Sequence, residues 1–166
     1  MPPIVNDRPS MGLGPDARCE GCGASVTGGT AGCLAIFEEM QARSYTDADL
    51  GAVHRLRVDV YALQHPDPYC ISAKPFAAHL TGVCAALEHH AADPVNAAVM
   101  RWLSTNPLIR KPRLPQARGT LTIADVSAAP ENREAAVMAW ARSAWRAYAP
   151  FEGLARRWIA DALNTR

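Results

Sequence analysis

Along the middle of the chain, apolar residues fall at Leu50, Val53, Leu56, Val60 and Leu63, the three-and-four spacing of a single helix face. This predicts a helix across "YTDADLGAVHRLRVDVYALQHP". Thr46 serves as its N-cap, and Asp47 and Asp49 lie in the first turn, where negative charge suits the helix dipole. Pro66 ends it, because the residue before a proline avoids the α region. An earlier helix begins just after Gly32, with Leu34, Ile36, Phe37 and Met40 apolar and Glu38, Glu39, Gln41 and Arg43 solvated. A third fits "KPFAAHLTGVCAALEHH", with Pro75 in its first turn and Phe76, Leu80, Val83, Cys84 and Leu87 as its stripe. "DPVNAAVMRWLST" gives a shorter fourth, capped at Asp93.

Pro107, Pro112 and Pro115 then hold an extended connection. "GTLTIADVSAAP" fits a short strand or a helical turn capped by Thr122 or Asp125. The last stretch reads as two helices broken near Pro150 and Gly153, with Trp140, Trp145, Tyr148 and Trp158 as anchors. The fold class is mostly α: a compact helical bundle or orthogonal array of about five to six helices with a Cys-rich N-terminal loop. Nothing in the pattern requires a sheet.

Residues 1–18 are rich in Pro, Gly and Asp without apolar periodicity, and read as a disordered or loosely attached arm. Residues 19–166 read as a single helical domain. At its start, Cys19 to Cys33 contains five glycines and almost nothing to bury, so it needs something outside itself to order it. Charge narrows the function classes. With 17 Lys+Arg against 16 Asp+Glu, the chain generates no field of its own for nucleic acid or a membrane surface. The one basic stretch, "IRKPRLPQARG", has the prolines of a solvated loop. No segment approaches the roughly 20 apolar residues of a spanning helix. An odd count of five cysteines without an export signal points to a cytoplasmic protein with metal-binding or free thiols rather than disulfides.

The sharpest chemical signal is Cys19-x-x-Cys22-Gly23. Two thiolates three residues apart, followed by glycine, form a knuckle whose amides point at the sulfurs of a bound zinc ion. A redox pair is the competing reading, but it needs a helix N-terminus after the first cysteine, and Gly21 and the glycines beyond oppose one. Two further ligands would come from Cys33, His54, His65, His79, Cys70 and Cys84. On the central helix His54, Tyr61 and His65 share a sector of about 40° at the margin of the apolar face, while Asp59 faces away and Arg55 lies off the stripe. His54 and His65 are about 16 Å apart along the axis, so one ion cannot take both. Cys84 reads as a structural thiol, and His89 and His90 as solvated residues at a helix end. No nucleophile elbow or phosphate loop occurs, and Glu38 and Glu39 point in different directions.

Together "CEGCG", the Gly32-Cys33 pair, "VHRLRVDVYALQHP", "AAHLTGVCAALE" and "WARSAWRAY" resemble a family of small bacterial proteins, domain of unknown function 5946. The resemblance runs from Cys19 to Trp158. Its most specific part is D-x-Y-x-x-Q-H-P, matched by Asp59, Tyr61, Gln64, His65 and Pro66. It implies that Cys19, Cys22, Cys33, His54, His65 and His79 belong to the family pattern.

The expectation is therefore a zinc site of Cys19, Cys22 and Cys33 with His54 or His65 as the fourth ligand, anchoring the N-terminal loop to a helical body. An open coordination position would instead make it a hydrolase-like enzyme, with Asp59, Tyr61 or His79 as catalytic candidates. A helical partner-binding module is the third class, and it predicts a fold indifferent to chelators.

Overall fold

The computed structural model describes residues 15–165. The arm expected over residues 1–18 lies mostly outside them, but Asp16–Arg18 form strand β1 and Ser25–Thr27 form strand β2. The two pair antiparallel with Asp16 opposite Thr27, so the expectation that no sheet is required is corrected here. The cause is the knuckle. Gly23, at φ +77°, donates its amide to the Cys19 carbonyl, and the Cys19 amide bonds the Ala24 carbonyl, both at 2.8 Å. That turn brings the residues on either side back alongside each other.

Helix α1 spans Gly29–Arg43, a turn longer at its start than the pattern predicts. The glycines that look like breakers serve close approach instead. Gly28 and Gly29 take positive φ, and a Cβ on Gly32 would stand 1.9 Å from the Thr27 carbonyl oxygen. The buried face is Cys33, Phe37 and Met40, while Leu34 is exposed and Ile36 half-buried.

The long helix predicted next is two. Helix α2, Ala48–Ala52, ends at Val53 (φ −111°, ψ 18°), and α3 runs His54–Gln64. Ahead of the break the Leu50 carbonyl accepts from the fully buried guanidinium of Arg57 at 3.1 Å. That guanidinium also bonds Gln41 and Ser44, tying the end of α1 to α3. The cap of α2 is Asp47 rather than Thr46; its carboxylate accepts from the amides of Asp49 and Leu50.

The remaining helices are α4 (Pro66–Tyr69), α5 (Ala73–Glu88), α6 (Ala92–Ser104), α7 (Ile123–Ser127), α8 (Arg133–Ala147) and α9 (Glu152–Asn164). A 3-10 turn, Ala149–Phe151, separates the last two. Helix α5 is central and packs against α3, α4, α6, α8 and α9. Thr122 and Asp125 form a capping box at α7, which settles that segment as helical. No helix among the described residues is long and apolar enough to cross a membrane.

Helix α3 lies between α5 and α8 and is buried on almost every side from Leu56 onward. This overturns the outward placement of Asp59, which is fully buried. Its carboxylate accepts from His79 Nδ1 on α5 and from Arg55 Nε, each at 2.8 Å. Gly82 on α5 leaves the room, since a Cβ there would sit 2.0 Å from Asp59 Oδ2. A helix pattern marks hydrophobic faces, and it cannot mark a carboxylate buried against a guanidinium and an imidazole.

Candidate metal centre

Cys19 and Cys22 sit in the tight turn joining β1 to β2, and Cys33 on the second turn of α1 faces them. His65 comes from across the fold. It is the C-cap of α3, at φ −125° and ψ 60°, and the following Pro66 keeps it out of the helical region. Its Nδ1–H donates to the Tyr61 carbonyl at 2.8 Å, which turns Nε2 toward the sulfurs. Nε2 lies 3.4 Å from Cys19 Sγ and 3.5 Å from Cys33 Sγ, and Cys22 Sγ lies 3.7 Å from Cys33 Sγ. All four donor atoms fall within 4.8 Å of one another, and all four residues are buried, so this cluster could hold a metal ion.

The surroundings fix the imidazole. Tyr61 stacks between the rings of Phe37 (4.0 Å between centroids) and His65 (3.9 Å), and Tyr69 meets Tyr61 edge-on. The Tyr61 hydroxyl reaches toward Cys33 Sγ at 3.9 Å. On the other side, Gly21 lies so close to the ring that a Cβ would come within 2.4 Å of His65 Cδ2. The glycine inside the Cys-x-x-Cys therefore lets the knuckle close over the histidine. Phe37 and Tyr69 were not foreseen as part of this wall. The signal available in the sequence was the i, i+4 spacing of Tyr61 and His65, which stacks two rings on one helix face.

Protons compete for the same atoms. The hydrogen bond between the thiols of Cys33 and Cys22, working against burial, brings the Cys22 thiol down to about 4. The same bond, with burial and the charge on Cys22, raises Cys33. Burial disfavours the imidazolium of His65, but the sulfurs of Cys22 and Cys19 and the Tyr61 carbonyl outweigh it and raise the group overall. At neutral pH Cys33 thus carries a proton that a metal must displace, and the rise at His65 adds to the competition between protons and metal. Affinity falls as pH drops, by about 10-fold per unit for each proton displaced, hence by at least about 10-fold between pH 7 and pH 6. Competition against a chelator of known pH dependence reads this slope directly; a flat profile over that interval contradicts the donor set.

Of the other candidates, His54 is exposed at the opposite end of α3, with Nδ1 3.5 Å from Ser44 Oγ and 3.2 Å from the Arg57 guanidinium. Its expected place as an alternative fourth ligand is corrected: the helical rise puts it far from the thiols, and burial and the Arg57 charge lower its pKa. Asp59 and His79 bind each other. Asp59 stands six residues before His65, about 9 Å along the helix, so neither belongs to the cluster's wall. Tyr61 alone of the catalytic candidates adjoins it. Cys70 bonds the Ala62 carbonyl, and burial raises it to about 11; burial likewise raises Cys84 to about 12, so both are inert core thiols. His89, His90, Glu38 and Glu39 are exposed.

The fold and the cluster together define a small helical protein with a three-cysteine, one-histidine candidate metal centre built between a β-turn and the end of a central helix. Residues 17–149 match the family of unknown function DUF5946, and the chain belongs to that family. No curated protein and no solved structure matches it.

Proposed function

We propose that Cys19, Cys22, Cys33 and His65 bind zinc, and that the ion is structural: it fastens the β1–β2 hairpin and α1 to the end of α3. The observation that carries this reading is the spacing of the donors. A tetrahedral zinc ion, with Zn–S of about 2.3 Å and Zn–N of about 2.0 Å, needs S···S edges of about 3.8 Å and S···N edges of about 3.5 Å. The corresponding separations here are 3.7 Å between Cys22 and Cys33, and 3.4 and 3.5 Å from His65 to Cys19 and Cys33.

Four converging protein donors fill a tetrahedral shell, which favours the structural role over a hydrolase-like one that keeps a position for water. The hairpin also needs such a fastening. Apart from the cysteines its buried residues amount to Ala24, with Val26 only half-buried, too little apolar surface to hold it by itself. Five free thiols fit a reducing compartment, the cytoplasm.

The test is X-ray absorption on protein purified without added metal. The expected result is one zinc per chain in a shell of three sulfurs and one nitrogen. A shell containing an exchangeable water oxygen overturns the structural reading, and protein that carries no metal and takes none up overturns the site.

A further inference from the structure

The three sulfurs of the cluster are not equivalent. Cys22 and Cys33 approach to 3.7 Å, the one sulfur pair there within hydrogen-bonding reach of each other. Cys22 keeps 9% of its surface open, whereas Cys19 keeps 2% and Cys33 none. Of the close pair, Cys22 is thus the less deeply buried and Cys33 the more deeply buried. Cys19 is placed differently, its sulfur set against the imidazole of His65. Beside that ring lies a cleft of about 180 Å³ lined by Glu20, Gly21, Thr30, Asp67 and the two prolines around it. Cys70 and Cys84 are fully buried elsewhere in the core and bear on neither.

We propose that the centre is a peroxide-responsive switch in which Cys22 is the sulfur attacked, Cys33 is the resolving thiol, and the product is a Cys22–Cys33 disulfide. The inference rests on the metal reading only for the release of the ion; the thiol pair stands without it. In the first step the Cys22 thiolate attacks one oxygen of hydrogen peroxide. An S–O bond forms, the O–O bond breaks and hydroxide leaves, giving a sulfenic acid. In the second step the Cys33 thiolate attacks that sulfur, the S–S bond forms and the S–O bond breaks with loss of a second hydroxide. Two thiolates lose two electrons in all, peroxide gains them, and two protons from solvent complete two waters. The zinc ion keeps its charge throughout and departs because two of its ligands are gone.

The product is not simply an unfastened hairpin. The new bond ties the hairpin turn to α1, while His65 loses the sulfur of Cys19 as its counterpart across the ion. Oxidation thus exchanges a fastening that reaches α3 for one confined to the hairpin and α1. The face of His65 and Tyr61 that the knuckle covers is what the change would uncover.

The full chain, with its metal content first measured, is titrated with hydrogen peroxide in the presence of a chromogenic zinc chelator. The expected result is release of one zinc per chain with loss of two thiols, reversed by dithiothreitol and added zinc. Cleavage after Glu20 and Glu38 leaves Cys22 and Cys33 on one peptide and Cys19 on another. After alkylation the former should be unlabelled and two mass units light, the latter labelled. A linkage that includes Cys19, or retention of the ion after a tenfold excess of peroxide, overturns the switch while leaving the metal site standing. Protein that carries no zinc and takes none up, yet links Cys22 to Cys33, supports the thiol pair and removes the zinc reading instead.

Discussion

Stripping the metal with a strong chelator is expected to lower the thermal midpoint by about 10–20 °C while leaving most of the helical far-ultraviolet signal in place. Structural zinc supplies on the order of 10–16 kcal/mol of binding energy in small peptides. A hairpin that also packs on α1 recovers part of the loss, so a net cost of about 5 kcal/mol is the scale, and in a domain of this size each kcal/mol moves the midpoint by about 2–4 °C. The helical body stays because its core is elsewhere: α5 with α3, α6, α8 and α9, filled by Phe76, Leu80, Val83, Trp140, Tyr148 and Trp158. Cys19→Ser with Cys22→Ser should reproduce the chelator's effect, and chelator added to that variant should do nothing more. Differential scanning calorimetry with and without chelator decides it. An unchanged midpoint in the native chain would place the hairpin's stability in packing and leave the ion without its proposed role.

The second large effect is at Gln64. This fully buried side chain donates to the carbonyls of Arg118 (2.7 Å) and Leu121 (2.8 Å), and its Oε1 accepts from Trp140 Nε1 at 2.8 Å. One amide therefore ties α3 to α8 and to the irregular connection before α7. Gln64→Leu keeps the volume and leaves three polar groups without partners, the Trp140 Nε1–H buried and the two carbonyls part-buried. At about 1–3 kcal/mol for each such group, softened by relaxation, the loss should reach about 3–5 kcal/mol. Trp140→Phe orphans a single acceptor and should cost less, and the two together should be less than additive because they share a bond. Urea unfolding curves for the three variants measure this. If Gln64→Leu proves no worse than Trp140→Phe, the two carbonyls find water and the bridge matters little.

Read residue by residue, the D-x-Y-x-x-Q-H-P stretch is a list of connections. Asp59 takes His79 and Arg55, Tyr61 stacks on Phe37 and His65, Gln64 holds Trp140 and the connection, His65 faces the sulfurs, and Pro66 ends the helix. The knuckle was legible because Cys-x-x-Cys-Gly is a local device whose geometry follows from its spacing. Cys33 was legible for the same reason, lying close by in sequence. The choice between His54 and His65 was not, because both share one sector of the helix and periodicity carries no information about which end meets the hairpin. Burial of Asp59 and Arg57 was invisible for a different reason: hydropathy reads them as solvent-facing, and only their partners on other helices reverse it. The break at Val53 involves a carbonyl–guanidinium bond seven residues long in sequence, which no propensity encodes.

The four donors are also unequally spaced along the chain. Cys22 and Cys33 are separated by 11 residues, and Cys19 and His65 by 46. Closing the longer loop costs about 1.3 kcal/mol more entropy than closing the shorter, on the logarithmic dependence of closure on length. The three sulfurs can therefore gather around an ion as a local event, well before the remainder of the chain has delivered the imidazole. By the same ratio, His65 is the last donor to arrive as the chain folds. Completion of the four-donor shell then waits on the folding of α3, and the Phe37–Tyr61–His65 stack, by fixing the imidazole at the end of that helix, acts on the speed of assembly as well as on the fold.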